Sequence, residues 1–219
     1  KADAYGCGLK PVTRALADAG CKTFFVATLD EARAARQCAP SATIYVLDGF
    51  FAGCGDIYAA HELRPVIGDA TELAEWDGFR TTKGWHGDSD NPNKGKFAIH
   101  ADTGMNRLGF PLMEARALAP RLDRPYHGVE LVMSHFACSE TPAHALNARQ
   151  IADFRELAHQ FPGVSASLAN SSGIFLGTQA CFDLVRPGAA LYGVNPTPGS
   201  DNPMRAVVTV KTRVLQIRH

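Results

Sequence analysis

Residues 1–8 of the chain are Lys-Ala-Asp-Ala-Tyr-Gly-Cys-Gly, a composition typical of the turn between a strand and a helix. Beyond Gly6 and Gly8, apolar residues recur at helical spacing. Lys1 and Tyr5 are therefore predicted to lie beside a helix N-terminus that can receive an anion. A lysine in this position is a candidate Schiff-base nucleophile, and a solvated surface lysine is the alternative.

The rest of the chain repeats this pattern, because short β-branched or apolar runs alternate with amphipathic helical stretches. Such alternation indicates a parallel sheet with right-handed crossovers. With one more strand expected ahead of Lys1, about eight units predict a (β/α)8 TIM-like barrel that lacks its first strand in this chain. A doubly wound open sheet is the alternative, but no GxGxxG followed by an acidic residue occurs. The predicted strands are 22–27, 43–47, 64–67, 97–102, 128–135, 164–169 and 189–192, and the predicted helices are 9–20, 29–38, 54–61, 71–81, 112–122 and 142–161, with a short one after residue 170.

A Pro- and Gly-rich link at residues 196–203 separates the last predicted strand from VVTVKTRVLQI at residues 207–217, which is a second strand-like run. Because a barrel would continue with a helix at this point, the run indicates another domain. We therefore assign residues 1–200 to the barrel. Residues 201–219 are predicted to begin a C-terminal β-domain, the rest of which lies outside this chain.

Composition argues against several classes of function. The 219 residues include 22 basic and 22 acidic side chains without a basic stripe, so no nucleic acid is expected as a partner. No apolar run is long enough to span a bilayer and no signal-peptide pattern opens the chain, so no membrane is expected either. The polar segment 84–96, including His86, is predicted to be a solvated loop on the barrel face away from the chemistry.

Six cysteines occur singly, with no CxxC pair, which indicates the reduced thiols of a cytoplasmic protein. His135 and Cys138 stand three residues apart, but such a pair alone is poor support for a zinc site, so no metal is predicted. The cysteines are Cys7, Cys21, Cys38, Cys54, Cys138 and Cys181.

The stretch DTGMNR at residues 102–107 directly follows a predicted strand. Asp-Thr-Gly is also the signature of aspartic proteases, but those enzymes need two facing carboxylates in an all-β body, and the motif occurs once here. The preferred interpretation is a loop at the barrel mouth that projects Arg107 inward, where its charged fork suits an oxyanion or a carboxylate. A surface arginine on a tight turn is the alternative.

Three further strand ends carry polar groups. Ser134 and His135 are adjacent on a strand and point to opposite faces, and no GxSxG turn is present, so a hydrolase pair is disfavoured. His135 could instead stack on a flat cofactor, or it could be a structural residue packed in the core. Residues 170–173 (Asn-Ser-Ser-Gly) offer hydroxyl and N–H groups suited to a phosphate or to simple helix capping. Arg186 and Gly188 add a second cation and a glycine that a ligand could approach.

Taken together, these stretches resemble the alanine racemases, which are pyridoxal-phosphate enzymes with an N-terminal barrel and a C-terminal β-domain. The resemblance runs essentially end to end and implies the interconversion of L-alanine and D-alanine by proton transfer at Cα in a head-to-tail homodimer. It further implies a role in supplying D-alanine for a bacterial cell wall, or in alanine catabolism. The stretches that carry the resemblance are KADAYGCG (1–8), DTGMNRLGF (102–110), SHFA (134–137), LANSS (168–172) and RPGAALYG (186–193).

The resemblance also assigns roles to individual residues. Lys1 would carry the cofactor covalently and serve as one of two acid/base groups. His135 would lie against the pyridine ring, and Arg186 would face the ring nitrogen. Arg107 would contact the phenolic oxygen of the cofactor and the carboxylate of the substrate, and Leu47 would line the cofactor. The residues assigned to the phosphate are Tyr5, Ser171, Gly188 and Ala189, with Asn170 beside them.

Two features depart from a complete site. In the family the second base is a tyrosine of the partner subunit's C-terminal domain, and none of the five tyrosines here stands in the expected place. These 219 residues alone are therefore expected to be inactive. His100 stands where many members have a lysine, often carbamylated, that orients the arginine corresponding to Arg107. A direct hydrogen bond from His100 or a bound anion could orient Arg107 instead.

Three alternatives remain open from the sequence. One is a stand-alone barrel that binds pyridoxal phosphate for cofactor homeostasis without racemase activity, although the full set of motifs and the trailing β-run count against it. A second is an amino-acid racemase of broader specificity. A decarboxylase or aldolase on the same barrel is a weaker third.

Overall fold

The computed structural model describes residues 1–85, 94–122 and 128–218. Six parallel strands form one sheet in the order β1-β2-β3-β4-β6-β7, and the two-residue strand β5 pairs with β4. This parallel sheet with its intervening helices confirms the predicted α/β, TIM-like fold class. The strands are β1 (Thr23–Val26), β2 (Thr43–Val46), β3 (Arg64–Ile67), β4 (Phe97–Asp102), β5 (Phe110–Pro111), β6 (Val129–Met133) and β7 (Ser165–Ser167).

The helices lie where the 3.6-residue periodicity places them, and several begin with a side-chain cap. Asp69 accepts hydrogen bonds from the N–H groups of Thr71 and Glu72 at 2.8 and 2.9 Å, and Thr28 caps its helix in the same way. The helices are α1 (Ala2–Tyr5), α2 (Leu9–Asp18), α3 (Leu29–Cys38), α4 (Gly55–Ala60), α5 (Ala70–Thr82), α6 (Leu112–Leu122), α7 (Ala145–His159) and α8 (Thr178–Cys181), with 3-10 helices at Gly173–Leu176 and Ala189–Tyr192.

Alternation along the strands separates two cores. In β4, Phe97 and Ile99 belong to the large core between sheet and helices, whereas Ala98 belongs to a smaller core on the other face. Because successive side chains of a strand point to opposite faces, His100 is directed to the same face as Ala98, into the barrel interior. Met133, at the end of β6, belongs to that smaller core too. The pleat thus brings strand-end side chains to the mouth of the barrel.

The predicted strand at residues 189–192 is wrong, because Ala189–Tyr192 form a 3-10 helix. The N–H of Leu191 reaches the carbonyl of Pro187 at 3.3 Å, and Gly193 closes the turn with a φ of 83°. The turn wins over the apolar composition because it brings the N–H of Ala190 to the hydroxyl of Ser171, as described below.

The predicted strand-like run at 207–217 does not form a strand with any described part of the chain, and most of its side chains are exposed. A β-branched run needs a partner strand to complete its backbone hydrogen bonds, and none is available here. Of the predicted polar loop at 84–96, the segment 86–93 with His86 lies outside the described residues.

Candidate active site

A cleft of about 870 Å³ opens at the carboxyl ends of the strands, where barrels carry their chemistry. It is lined by Lys1, Ala4 and Tyr5 and by the loops after β6 and β7, and it extends beyond the strand ends along α2 and β1. All ten residues singled out from the sequence line this cleft: Lys1, Tyr5, Leu47, Arg107, His135, Asn170, Ser171, Arg186, Gly188 and Ala189. His100 lines it as well, and so do Phe25 and Tyr192, which the sequence did not single out.

Lys1 is positioned by an unusual backbone. Residues Ala2–Tyr5 form one turn of left-handed helix, with φ angles of 50°, 49°, 56° and 58°. L-amino acids disfavour this conformation by roughly 1–2 kcal/mol per residue, so the turn must be held from outside. It sets the Lys1 ammonium 5.8 Å from the centroid of the Tyr5 ring.

Two carboxylates hold the left-handed turn. The Asp3 carboxylate accepts a hydrogen bond from the N–H of Leu9 at 2.7 Å and so caps α2. The two oxygens of Glu31, on α3, accept from the N–H groups of Asp3 at 2.9 Å and Ala27 at 2.7 Å. Glu31 therefore fastens the turn that carries Lys1 to the end of strand β1.

Burial in this strongly cationic cleft lowers the pKa of Lys1. Burial is the main cause, and the positive charges of Arg107 and Arg186 add to it. The carboxylate of Asp102, at the end of β4, accepts hydrogen bonds from the N–H groups of residues 104–106 and forms no ion pair with these cations. An anionic ligand would therefore be attracted to the cleft, and the Lys1 amine is easier to deprotonate than in water.

Both histidines of the cleft are neutral at pH 7. Burial, followed by the charges of Arg186 and Arg107, lowers the pKa of His100 to about 4. The same causes lower the pKa of His135 to about 3, with a further contribution from Lys1. His135 consequently offers a flat, uncharged ring to the cleft, which suits stacking rather than proton transfer at neutral pH.

Arg186 is fixed by backbone carbonyls rather than by a carboxylate. Its guanidinium donates to the carbonyl of Ser134 and, at 3.1 Å, to that of Leu168, and it lies 5.8 Å from the centroid of the Phe25 ring. Burial lowers its pKa to about 10, so the group stays charged at pH 7. Its buried Nε finds no hydrogen-bond partner among the described residues, so it can donate to an acceptor in the cleft.

A second corner of the cleft presents neutral groups. The Ser171 hydroxyl accepts from the N–H of Ala190 at 3.0 Å, and the Tyr5 and Tyr192 rings pack with centroids 4.8 Å apart. The Tyr5 hydroxyl comes so close to Gly188 that a Cβ built there would overlap it. A Cβ at this position would push the Tyr5 hydroxyl away, and the corner has the hydroxyl and N–H groups that bind a phosphate.

Arg107 projects into the cleft from a tightly turned loop. The Asp102 carboxylate caps that loop, and Asn106 adopts a left-handed φ of 55° just before the arginine. No hydrogen bond joins Arg107 to His100 or to any other residue in the described parts of the chain. Of the two means of orienting Arg107 that the sequence left open, the direct bond from His100 is therefore not formed, and a bound anion remains.

The sequence of the chain matches a family of known proteins. Residues 1–196 match the model of one family, described as alanine racemase, N-terminal domain. The chain belongs to this family. It is 47% identical over 218 residues to the alanine racemase of Methylobacterium sp. (strain 4-46), and 43% identical over 219 residues to that of Rhizobium meliloti (strain 1021). Both alignments cover 100% of this chain, but only 58% and 55% of the relatives, so the chain spans little more than half their length.

Solved structures of the alanine racemase family share the fold. The alanine racemase of Bartonella henselae with covalently bound pyridoxal phosphate is 34% identical and superposes with a TM-score of 0.84, over 94% of this chain and 58% of that one. The biosynthetic alanine racemase of Pseudomonas aeruginosa is 33% identical, with a TM-score of 0.78 over 91% of this chain and 53% of that one.

Beyond the residues that resemble the alanine racemase motifs, the cleft depends on side chains that the sequence did not reveal. Glu31 and the buried amide of Gln150 support its loops from helices α3 and α7, whereas Asn147 on α7 holds only the segment beyond the site residues. The one available signal was the pair of amides at helical spacing inside the apolar face of α7, and it is a weak one.

Other kinds of site find no support in the described parts of the chain. No group of three or more His, Cys, Asp or Glu side chains there could hold a metal ion. None of the helices described is both long and apolar enough to cross a membrane. The six cysteines are all free thiols.

Proposed function

We propose that this chain is the cofactor-binding barrel of a pyridoxal-phosphate-dependent alanine racemase, which interconverts L-alanine and D-alanine. The observation that carries the proposal is the convergence of Lys1, Arg107, His135 and Arg186 on one cleft that also has a hydroxyl-rich corner. A planar phosphorylated cofactor requires an amine for covalent attachment, a flat neutral ring for stacking and a site for its phosphate. An amino-acid substrate requires a guanidinium group to pair with its carboxylate. The names of the relatives support the same activity.

Two observations support pyridoxal phosphate as the cofactor. The buried Nε of Arg186 lacks an acceptor, and the ring nitrogen of a pyridine is one. The Tyr5 hydroxyl, which lies directly against Gly188, and the Ser171 hydroxyl, which accepts from the N–H of Ala190, gather polar groups suited to a phosphate at one corner of the cleft. When bound, the cofactor supplies a conjugated ring that acidifies the Cα proton of an amino acid. The residues proposed to hold it are Lys1, Tyr5, Leu47, Arg107, His135, Asn170, Ser171, Arg186, Gly188 and Ala189.

Lys1 is proposed both to bind the cofactor covalently and to move the Cα proton on one face of the substrate. Its lowered pKa increases the fraction of neutral amine at pH 7, which is the form that attacks a carbonyl and accepts a proton. Arg107 is proposed to pair with the substrate carboxylate, and so to orient the amino acid with its Cα proton toward Lys1.

Arg186 and His135 are proposed to set the electronic surroundings of the ring. Because Arg186 stays charged at pH 7, its guanidinium would disfavour protonation of a pyridine nitrogen held beside it. A ring kept neutral withdraws electrons less strongly, which disfavours side reactions such as transamination. His135 is uncharged and can lie against the ring without adding a further positive charge.

Racemisation also needs a base on the opposite face of the substrate, and we propose a tyrosine from the partner subunit of a head-to-tail homodimer. Tyr5 is committed to the Gly188 corner with Tyr192 packed on it, and Tyr45 and Tyr58 are buried in the two cores. Tyr126 lies outside the described residues. Residues 201–219 are proposed to begin the C-terminal β-domain that carries this tyrosine, and the free cysteines suit the cytoplasm.

The proposal is tested on the full-length protein loaded with pyridoxal phosphate. Incubation with L-alanine in heavy water is expected to place deuterium at Cα and to form D-alanine, as detected by mass spectrometry and chiral chromatography. Lys1→Ala is expected to lower the rate by at least about 10³-fold, since it removes the base and the covalent attachment. The span 1–219 alone, loaded with cofactor, is expected to form no D-alanine.

Two outcomes would count against the proposal. Cofactor binding without deuterium exchange in the full-length protein would favour a homeostasis protein. Exchange of serine or other amino acids as fast as alanine would favour a racemase of broader specificity. A matched control is Lys10→Ala, which changes an exposed lysine on helix α2 and is expected to leave exchange unchanged.

A further inference from the structure

Helix α7 carries a fully buried glutamine that bonds to the ends of two strands. The Nε2 of Gln150 donates to the hydroxyl of Thr103 at 3.1 Å and to the carbonyl of His135 at 2.8 Å. Its Oε1 accepts from the N–H of Ala137 at 3.0 Å. All the hydrogen-bonding groups of this amide face inward, because the residue is 0% exposed.

The partners of Gln150 stand at the base of the cleft. Thr103 directly follows β4 and opens the loop that carries Arg107. Its hydroxyl also bonds to the hydroxyl of Ser134 at 2.8 Å, and the carbonyl of Ser134 in turn accepts from Arg186. One side chain therefore connects the loop of Arg107, the backbone of His135 and the anchor of Arg186.

We propose that Gln150 is a positioning residue that fixes the Arg107 loop and His135 relative to one another, so that the cofactor ring and the substrate carboxylate are held in register. The inference rests on the proposed function for its kinetic part. A group held by hydrogen bonds on one side only can shift, and a displacement of about 1 Å in a site of this kind lowers rates by about 10²-fold.

An amide one turn earlier on the same helix provides the contrast. Asn147 is 3% exposed, and its Nδ2 donates at 3.3, 2.9 and 3.4 Å to the carbonyls of Cys138, Thr141 and Pro142. These carbonyls belong to the loop that follows the site residues. Loss of Asn147 should therefore destabilise the protein as loss of a buried amide does, without uncoupling Arg107 from His135.

The test compares Gln150→Met with Asn147→Leu in the full-length holoenzyme. Gln150→Met keeps the length and burial of the side chain and removes its hydrogen bonds. We expect it to lower kcat/KM for L-alanine by about 10- to 100-fold. We also expect it to reduce the visible circular dichroism of bound pyridoxal phosphate and to weaken cofactor retention. Asn147→Leu should retain the wild-type dichroism even where its urea midpoint falls as far.

Other outcomes of the comparison would show whether Gln150 positions the site or only stabilises the fold. If both variants lose stability while the dichroism and the affinity for pyridoxal phosphate of Gln150→Met stay at wild-type values, Gln150 is only structural and the inference is overturned. If the wild-type protein shows no exchange but Gln150→Met alone loses dichroism, the proposed function fails while the positioning role stands. Should Gln150→Met not fold, Thr103→Val isosterically removes the hydroxyl that bonds to both Gln150 and Ser134, and it should show the same changes.

Discussion

The two sides of the cleft are held by different chemistry. On one side, the lysine turn (residues 1–8) is strained and is fastened by the carboxylates of Asp3 and Glu31. On the other, the amide-held loops (residues 134–144 and 170–173) have ordinary backbone and are fastened by neutral amides and hydroxyls. The contrast indicates that charged acceptors are used where backbone strain has to be offset.

The free energies of backbone strain and of hydrogen bonding are consistent with this difference between the two sides. Four L-residues in a left-handed conformation cost roughly 4–8 kcal/mol in total. Three hydrogen bonds from backbone N–H groups to carboxylates, each contributing about 1.5–3 kcal/mol, offset roughly 4.5–9 kcal/mol. The amide-held loops need no such compensation, since neutral hydrogen bonds contribute about 1 kcal/mol each and serve to fix position.

The largest effect is expected at Gly188, against which the Tyr5 hydroxyl of the lysine turn lies. A methyl group there would overlap the Tyr5 hydroxyl, so Gly188→Ala should displace the lysine turn from the phosphate corner. We expect the affinity for pyridoxal phosphate to fall by about 10²-fold, or roughly 3 kcal/mol, measured by equilibrium titration. Gly78→Ala, inside helix α5 where a Cβ meets nothing, is the control. Equal affinities for the two variants would show that the sides are independent.

Acidification should lower the stability of the folded protein through the buried His100. The pKa of His100 is lowered in the folded protein from 6.5 to about 4, so the unfolded chain binds its proton first and stability falls as the pH drops from 6.5 to 4. At about 1.36 kcal/mol per pH unit, this interval corresponds to roughly 3 kcal/mol. Urea midpoints of the cofactor-free protein at pH 7, 6, 5 and 4 measure it. Because the pKa of His135 is lowered to about 3, this residue contributes to the same decline, so His100→Asn should make the decline about half as steep. An unchanged slope would contradict the assignment.

On the lysine side, the stabilisation that Glu31 contributes at neutral pH should be lost only in acid. Burial alone would raise the pKa of this carboxyl, but hydrogen bonds from the backbone of Asp3, Ala27 and Thr28 lower it below its ordinary value of 4.5. Its stabilisation is therefore complete above pH 4.5 and is lost as the pH falls through the lowered pKa. Glu31→Gln should lose it at every pH.

For Glu31→Gln we expect about 1.5–3 kcal/mol less stability at pH 7, because a charged acceptor of two N–H groups becomes neutral. The exposed Glu140→Gln is the matched control and should change stability by less than about 0.5 kcal/mol. If urea unfolding gave the same result for both variants, carboxylate support of the lysine turn would be refuted.

Much of this molecule could be read from local patterns. Strand and helix periodicity predicted β3, β4, α3 and α6 to the residue. Local patterns at strand ends indicated residues such as Lys1, Arg107 and Arg186, and the resemblance to the alanine racemases supplied the rest of the ten residues that line the cleft. Local patterns suffice there because parallel strands all end at the same edge of a sheet.

The remaining features depend on contacts between distant parts of the chain. Four consecutive non-glycine residues in a left-handed turn contradict local preference, and their support comes partly from Glu31, which is 28 residues from Asp3. The bond from Gln150 to Thr103 spans 47 residues. The 3-10 helix at Ala189–Tyr192 replaces a predicted strand because of one contact to Ser171. Tertiary contacts decide such positions, and a single sequence does not display them.

The smallest effect is expected on the amide-held side, from Ser139→Ala. The buried Ser139 hydroxyl donates to Oδ1 of Asn170 at 2.8 Å, and that oxygen also accepts from the N–H of Gly173 at 2.9 Å. Because Asn170 keeps the second bond, we expect Ser139→Ala to be only about 1 kcal/mol less stable than wild type. This difference should be the same at every pH between 7 and 5. Affinity for pyridoxal phosphate should change less than about threefold. A loss as large as that of Glu31→Gln would mean that neutral and charged supports contribute equally, and the contrast between the two sides would then lie only in their backbone strain.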